Sequence, residues 1–173
     1  MKPAARQNPP SGALSIRPAD GADLPAIRDL LREYEAGAGV SLCFQGFEAE
    51  LNGLPGKYAP PKGRLLVAVR SGRIMGCVAL RPLHDDICEM KRLYVRPEAR
   101  GLGAGRALVA RIIREAAQAG YRAMRLDTLP TMTQALALYH SLGFKPIAPY
   151  CHNPVPGATY LELDLNHTNN NAV

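Results

Sequence analysis

At 173 residues, 47% apolar and 21% charged, the chain has the size and composition of one globular domain with a real core. No run approaches the roughly 20 apolar residues of a membrane helix, and the N-terminus lacks the apolar segment of a secretory signal, so a cytoplasmic protein without a membrane partner is expected. The net charge of +6 is unevenly spread: residues 91–125 hold nine basic side chains against two acids. That segment raises nucleic acid as a partner, but no recognition motif accompanies it, and a phosphorylated small ligand fits better.

Residues 1–12 and 166–173 are polar and rich in Pro or Asn, and are predicted as flexible tails around a domain over 13–165. Within it, ALSIR (13–17) alternates as a short strand. Asp20 or Asp23 is a candidate cap for a helix over 23–36, with Leu24, Ile27, Leu31 and Tyr34 at helical spacing. A second helix is expected over 41–54. Strands over 64–69 and 73–81 flank Ser71-Gly72 as a hairpin. After the polar turn His84-Asp85-Asp86 comes a strand over 87–95, where alternation puts Glu89, Lys91, Leu93 and Val95 on one face and Met90, Arg92 and Tyr94 on the other.

A helix over 103–119 and a strand over 123–127 follow, the strand parallel to its predecessor because a helix intervenes. Thr131 and Gln134 match a capping box for a helix over 132–142, and strands over 144–147 and 158–165 close the domain. The expectation is an α/β fold with a central mixed sheet and no internal repeat. Cys43, Cys77, Cys88 and Cys151 are far apart, with no C-x-x-C pair, and are read as reduced thiols, with no metal site.

The stretch RPEARGLGAGRALV (96–109) carries Gly101, Gly103 and Gly105 at the entrance of a helix. It is not a dinucleotide fingerprint, because the sixth position counted from Gly101 is Arg106 and from Gly103 is Leu108; the G-K-[ST] of a P-loop is also missing. What it offers is a helix N-terminus with unpaired N–H groups, flanked by Arg100 and Arg106, which suits an anion. A ligand-free turn using glycine for positive φ is the alternative.

Arg100-Gly101-Leu102-Gly103-Ala104-Gly105 resembles the R/Q-x-x-G-x-G/A signature of the GNAT superfamily of N-acetyltransferases. EMKRLYVRPEAR resembles the strand before that signature, and ALALYHSLGF (135–144) the family's A-x-x-L-Y-x-x-x-G-F motif. The resemblance runs from about residue 14 to 165. It implies the GNAT fold: a mixed, mostly antiparallel sheet flanked by helices, with two strands splayed apart to receive acetyl-coenzyme A. It implies a pantetheine arm paired with the backbone of Leu93, Tyr94 and Val95, and a pyrophosphate on the loop Arg100, Gly101, Leu102, Gly103, Ala104, Gly105 and Arg106.

The resemblance makes Tyr139 the group beside the departing thiolate. The backbone N–H near Val95 is a candidate to polarise the thioester carbonyl. Met132 departs from the family pattern, where Asn is common. Glu89 is the candidate general base; a strand Glu paired with Arg92 or Arg125 is the structural alternative. Tyr34, Phe44, Tyr150, His152 and Asn153 are candidate walls for the acceptor. The expected activity is transfer of an acetyl group to a primary amine of a small polar metabolite, by direct attack. Cys88 and Cys151 leave a covalent route as an alternative. An acyl-coenzyme A sensor, or an enzyme acting on a peptide or protein amine, also stays open, as does a homodimer.

Overall fold

The computed structural model describes residues 12–39, 41 and 46–166. Strand β1 (Leu14–Pro18) leads through a single 3-10 turn into helix α1 (Leu24–Ala38). Asp20 caps that turn by accepting from Ala22 N, while the Asp23 carboxylate accepts from Asp20 N at 2.8 Å and from Arg17 at 2.6 and 2.9 Å. Of the two aspartates considered for one cap, both are used, in a reciprocal capping box. Gly39, at φ +69°, ends α1.

The helix predicted over 41–54 is shorter: α2 spans Phe47–Asn52, bounded by left-handed Gly46 and by Gly53 before Pro55. Strands β2 (Arg64–Arg70) and β3 (Arg73–His84) form the expected hairpin; both residues of its turn, Ser71 and Gly72, have positive φ. Then come β4 (Ile87–Val95), α3 (Ala104–Gln118), β5 (Ala123–Thr128), α4 (Thr133–Ser141), the two-residue β6 (Lys145–Pro146) and β7 (Thr159–Asp164). The capping box expected at Thr131 and Gln134 does not form. A turn from Met132 N to Leu129 O delays the helix by one residue, so Met132 becomes its N-cap and no side chain caps it.

The seven strands run β1-β2-β3-β4-β5-β7-β6, and β4–β5 is the parallel pair. One core, built on α3 and α4, includes Leu108, Ile112, Met90 and Leu161; the other, under α1 and α2, includes Ile27, Leu31, Phe47 and Val67. Two features of β4 create the site. Its ladder with β5 is confined to Ile87–Glu89 against Ala123–Arg125, after which the strands part. Its ladder with β3 slips from Ala79↔Lys91 to Cys77↔Tyr94, and Arg92 at the slip takes φ +62°.

This bulge corrects the predicted alternation. Cys88 and Met90 belong to the α3 core, and Leu93 and Val95 pack against it, whereas Tyr94 packs on the α1 side. Arg92 also turns to that side, where it meets α2. One extra residue in a strand reverses the faces of everything after it, and no periodicity count reveals it.

Candidate functional site

Past the bulge, the free edge of β4 forms one wall of a cleft. Arg96 N donates to Met75 O in β3, so backbone alternation turns the polar groups of Leu93 and Val95 into the cleft and those of Tyr94 toward β3. Of the three residues expected to pair with a ligand through the backbone, two face it. The loop 100–106 and the first residues of α4 complete a cleft of about 680 Å³. Gly101 (φ +76°) and Gly103 (φ +79°) have open space where a Cβ would stand. They serve the shape of the loop rather than a close approach to their own chain, and they aim the first N–H groups of α3 into the cleft.

The basic segment is largely neutralised within the fold. Arg92, Arg96, Arg111, Arg122 and Arg125 pair with Glu50, Glu33, Glu115, Asp86 and Glu162. Arg100 and Arg106 line the cleft and have no carboxylate partner among the described residues. Arg100 Nε donates to Val95 O at 3.1 Å, and Arg106 Nη2 to Ser141 Oγ at 2.7 Å. Arg100 N itself donates to Pro97 O at 3.2 Å, but the first N–H groups of α3 have no intrahelical acceptor, and with two such arginines they fit a pyrophosphate.

The cleft continues into the gap between β4 and β5. Tyr34, Leu93, Met132 and Ala135 line both, and the gap also holds Tyr139, Lys91, Asp127 and Asn153. Tyr139 is 6% exposed, packs on Phe144 at 5.7 Å between ring centroids, and among the described residues has no hydrogen-bond partner for its hydroxyl. Burial pushes its pKa up, so the hydroxyl stays protonated and free to donate to a ligand atom. Met132 Sδ, where the family pattern has an amide, accepts from Thr128 Oγ1 at 3.7 Å.

Beyond the gap lies a third space, a charged cavity of about 170 Å³ that shares Lys91, Arg92 and Asp127 with it. Glu89 is 1% exposed. It accepts from Arg81 Nε at 2.7 Å and from Tyr150 OH at 3.0 Å, with Lys91 Nζ at 3.5 Å. Its partner is thus Arg81, the cross-strand neighbour, and not Arg92 or Arg125, which hold Glu50 and Glu162. Lys91 Nζ donates to Asp127 Oδ1 at 3.1 Å, and Asn153 Nδ2 to Asp127 Oδ2 at 2.9 Å. Burial works against the Asp127 carboxylate, but Lys91 and Asn153 outweigh it and hold its pKa below the ordinary value. Arg92, over the Phe47 ring, holds Glu50 through two bonds of 2.8 and 2.7 Å.

The residues expected on the acceptor walls divide. The exposed His152 lines the cavity and Tyr150 reaches it through its bond to Glu89, whereas Asn153 lines the gap and Tyr34 stands at the junction of cleft and gap. Phe44 lies outside the described residues. Arg81, Lys91, Glu50 and Asp127 are additional residues of this cavity. A charged residue inside the apolar β5 was the available signal for Asp127; the other three depend on which strands and helices meet.

The cysteines do not suit a covalent route. Burial raises the Cys88 thiol to about 12, on the α3 side of the sheet, and raises Cys151 as well, leaving both as thiols. Glu89, Asp127 and Cys151 bring donor atoms within 4.8 Å of one another, with the Lys91 ammonium already bonded to Asp127 and close to Glu89.

Residues 24–144 match the model of the acetyltransferase (GNAT) family. The chain belongs to that family. It is 46% identical over 146 residues to an uncharacterised N-acetyltransferase of Schizosaccharomyces pombe, covering 83% of this chain and 90% of the relative. In fold it matches a GNAT acetyltransferase from Staphylococcus aureus (TM-score 0.75, 17% identity, 88% of this chain and 99% of the other). It also matches an acetyltransferase from Salmonella typhimurium determined with acetyl-CoA (TM-score 0.67, 24% identity, 90% and 95%). This GNAT protein is therefore an acyltransferase, with the α/β fold and splayed strand pair that its motifs implied. No described helix is long and apolar enough to cross a membrane.

Proposed function

We propose that this acyltransferase moves the acetyl group of acetyl-coenzyme A to the primary amine of a small polar metabolite, by direct attack. The observation that carries this reading is the succession of three adjoining spaces that share lining residues: the glycine-loop cleft, the gap at Tyr139 and the charged cavity. Donor and acceptor then enter from opposite ends and meet where β4 and β5 part.

Acetyl-coenzyme A, when bound, supplies an acetyl group activated as a thioester. The amides of residues 101–106, with the side chains of Arg100 and Arg106, hold the pyrophosphate, and Leu93 and Val95 pair with the extended arm through their backbones. The N–H of Val95 polarises the thioester carbonyl. As the amine nitrogen bonds to the acetyl carbon, the carbon–sulfur bond breaks and its electron pair goes to sulfur, to which Tyr139 donates a hydrogen bond or its proton. Glu89 takes the proton shed by nitrogen through water, since it lines the cavity but not the gap; Asp127 lines both and lies on that path.

The test is release of coenzyme A against a panel of amines, with the product identified by mass. Turnover with a mass gain of one acetyl group is expected. Tight binding of acetyl-CoA with no turnover on any amine would instead make the protein a sensor.

A further inference from the structure

We infer that the acceptor is an amino acid or another small amine bearing a carboxylate, and that Arg81 is the residue that selects for it. The inference rests on the acetyltransferase reading and names the substrate class of its cavity.

Four side chains cross that cavity in alternating sign. Asp127 is bonded to Lys91 at 3.1 Å, Lys91 stands 3.5 Å from Glu89, and Glu89 is bonded to Arg81 at 2.7 Å. The order follows from the lining: Asp127 and Lys91 border the gap that holds Tyr139, and Glu89 and Arg81 do not. The row therefore presents a carboxylate at the end near the reaction and a guanidinium at the far end. A zwitterion laid along it has its amine beside Asp127, next to the acetyl group, and its carboxylate at Arg81.

The two guanidiniums of the cavity differ in what they can still bind. Arg92 is 3% exposed in its side chain and spends Nε and Nη2 on Glu50. Arg81 is 30% exposed and donates to Glu89 through Nε. Among the described residues nothing accepts from its Nη1 or Nη2, so a donor pair in the planar geometry that carboxylates prefer remains available. With Glu50 and Arg92 included, the fixed charges of the cavity also balance, three of each sign. A ligand that is itself internally neutral preserves that balance; an amine without an acid adds an unopposed cation.

The experiment measures kcat/KM for amino acids, each against its own carboxamide, with acetyl-CoA saturating. The amine of the carboxamide is the easier to deprotonate, so a preference for the acid cannot originate at the nucleophile. The acids are expected to be favoured by about tenfold to a hundredfold, the worth of a charge-assisted bond. In Arg81→Gln that ratio is expected to fall toward one, while Arg81→Lys, which keeps a cation for Glu89, retains part of it. Carboxamides or plain alkyl amines used as well as the acids by the unaltered protein would overturn the inference and leave the acetyltransferase reading standing. So would a ratio unchanged in Arg81→Gln. No turnover on any amine would remove both.

Discussion

The two ends of the proposed passage offer a ligand opposite kinds of binding group. At the glycine loop the binding groups are backbone: N–H groups of α3, the free edge of β4, and two arginines tied to the protein by single bonds. At the charged cavity the binding groups are side chains from β3, β4, β5, α2 and the loop before β7, each already engaged with another. Backbone recognition needs one local conformation and so tolerates change in the side chains around it. A lattice of ion pairs depends on every member, since an unpartnered buried charge is costly. The glycine-loop end therefore constrains few side chains, and the charged end constrains many.

Substitutions along the passage should sharpen that contrast. The largest expected effect is at the junction: Tyr139→Phe should lower kcat by about a hundredfold or more while binding of acetyl-CoA, followed by calorimetry, stays near that of the unaltered protein. Equal losses of both would make Tyr139 a packing residue.

At the cavity end, Arg92→Leu strands Glu50 and should cost about 3 kcal/mol in urea unfolding. Burial opposes the Glu50 carboxylate, but Arg92 and Tyr58 hold its pKa below the ordinary 4.5. A folded-state pKa below the unfolded one means that the unfolded chain binds more protons in that window. The stability from this pair is thus complete above pH 4.5 and is lost as pH falls through the lower folded value. Arg92→Leu should flatten this acid limb; an unchanged slope between pH 5 and 2 would remove Glu50 from the account.

The donor end should respond more mildly. Gly103→Ala forces a side chain into φ +79° with open space around it, and should cost about 1 kcal/mol with a several-fold weaker acetyl-CoA affinity. Arg106→Gln should weaken acetyl-CoA by only a few-fold, about 0.5–1 kcal/mol, with a shallower salt dependence. If Arg106→Gln cost more than Gly103→Ala, the loop would be a side-chain site after all.

These differences follow how legible each region is. The glycine loop, α3 and the Tyr139 helix are local: spacing and motif occur within some twenty residues, and both helices fell within a residue of their expected bounds, although the cap expected at Thr131 did not form. The bulge at Arg92 did not show, because the strand reads as a regular alternation on either side of it. The partner of Glu89 did not show either, because Arg81 becomes its neighbour through the register of β3 against β4. Asp127, Lys91 and Glu50 join them only where β5 parts from β4 and α2 packs beneath.

By itself, then, the sequence determined the order of elements, the family, and the donor cleft, since all three are written in short-range patterns of glycine, polarity and helical spacing. Tertiary structure alone decided which face of β4 each side chain takes, which basic residues are neutralised, and what charge pattern meets the acceptor. Those depend on one inserted residue in a ladder and on contacts between segments 26 to 61 positions apart, which no local pattern encodes.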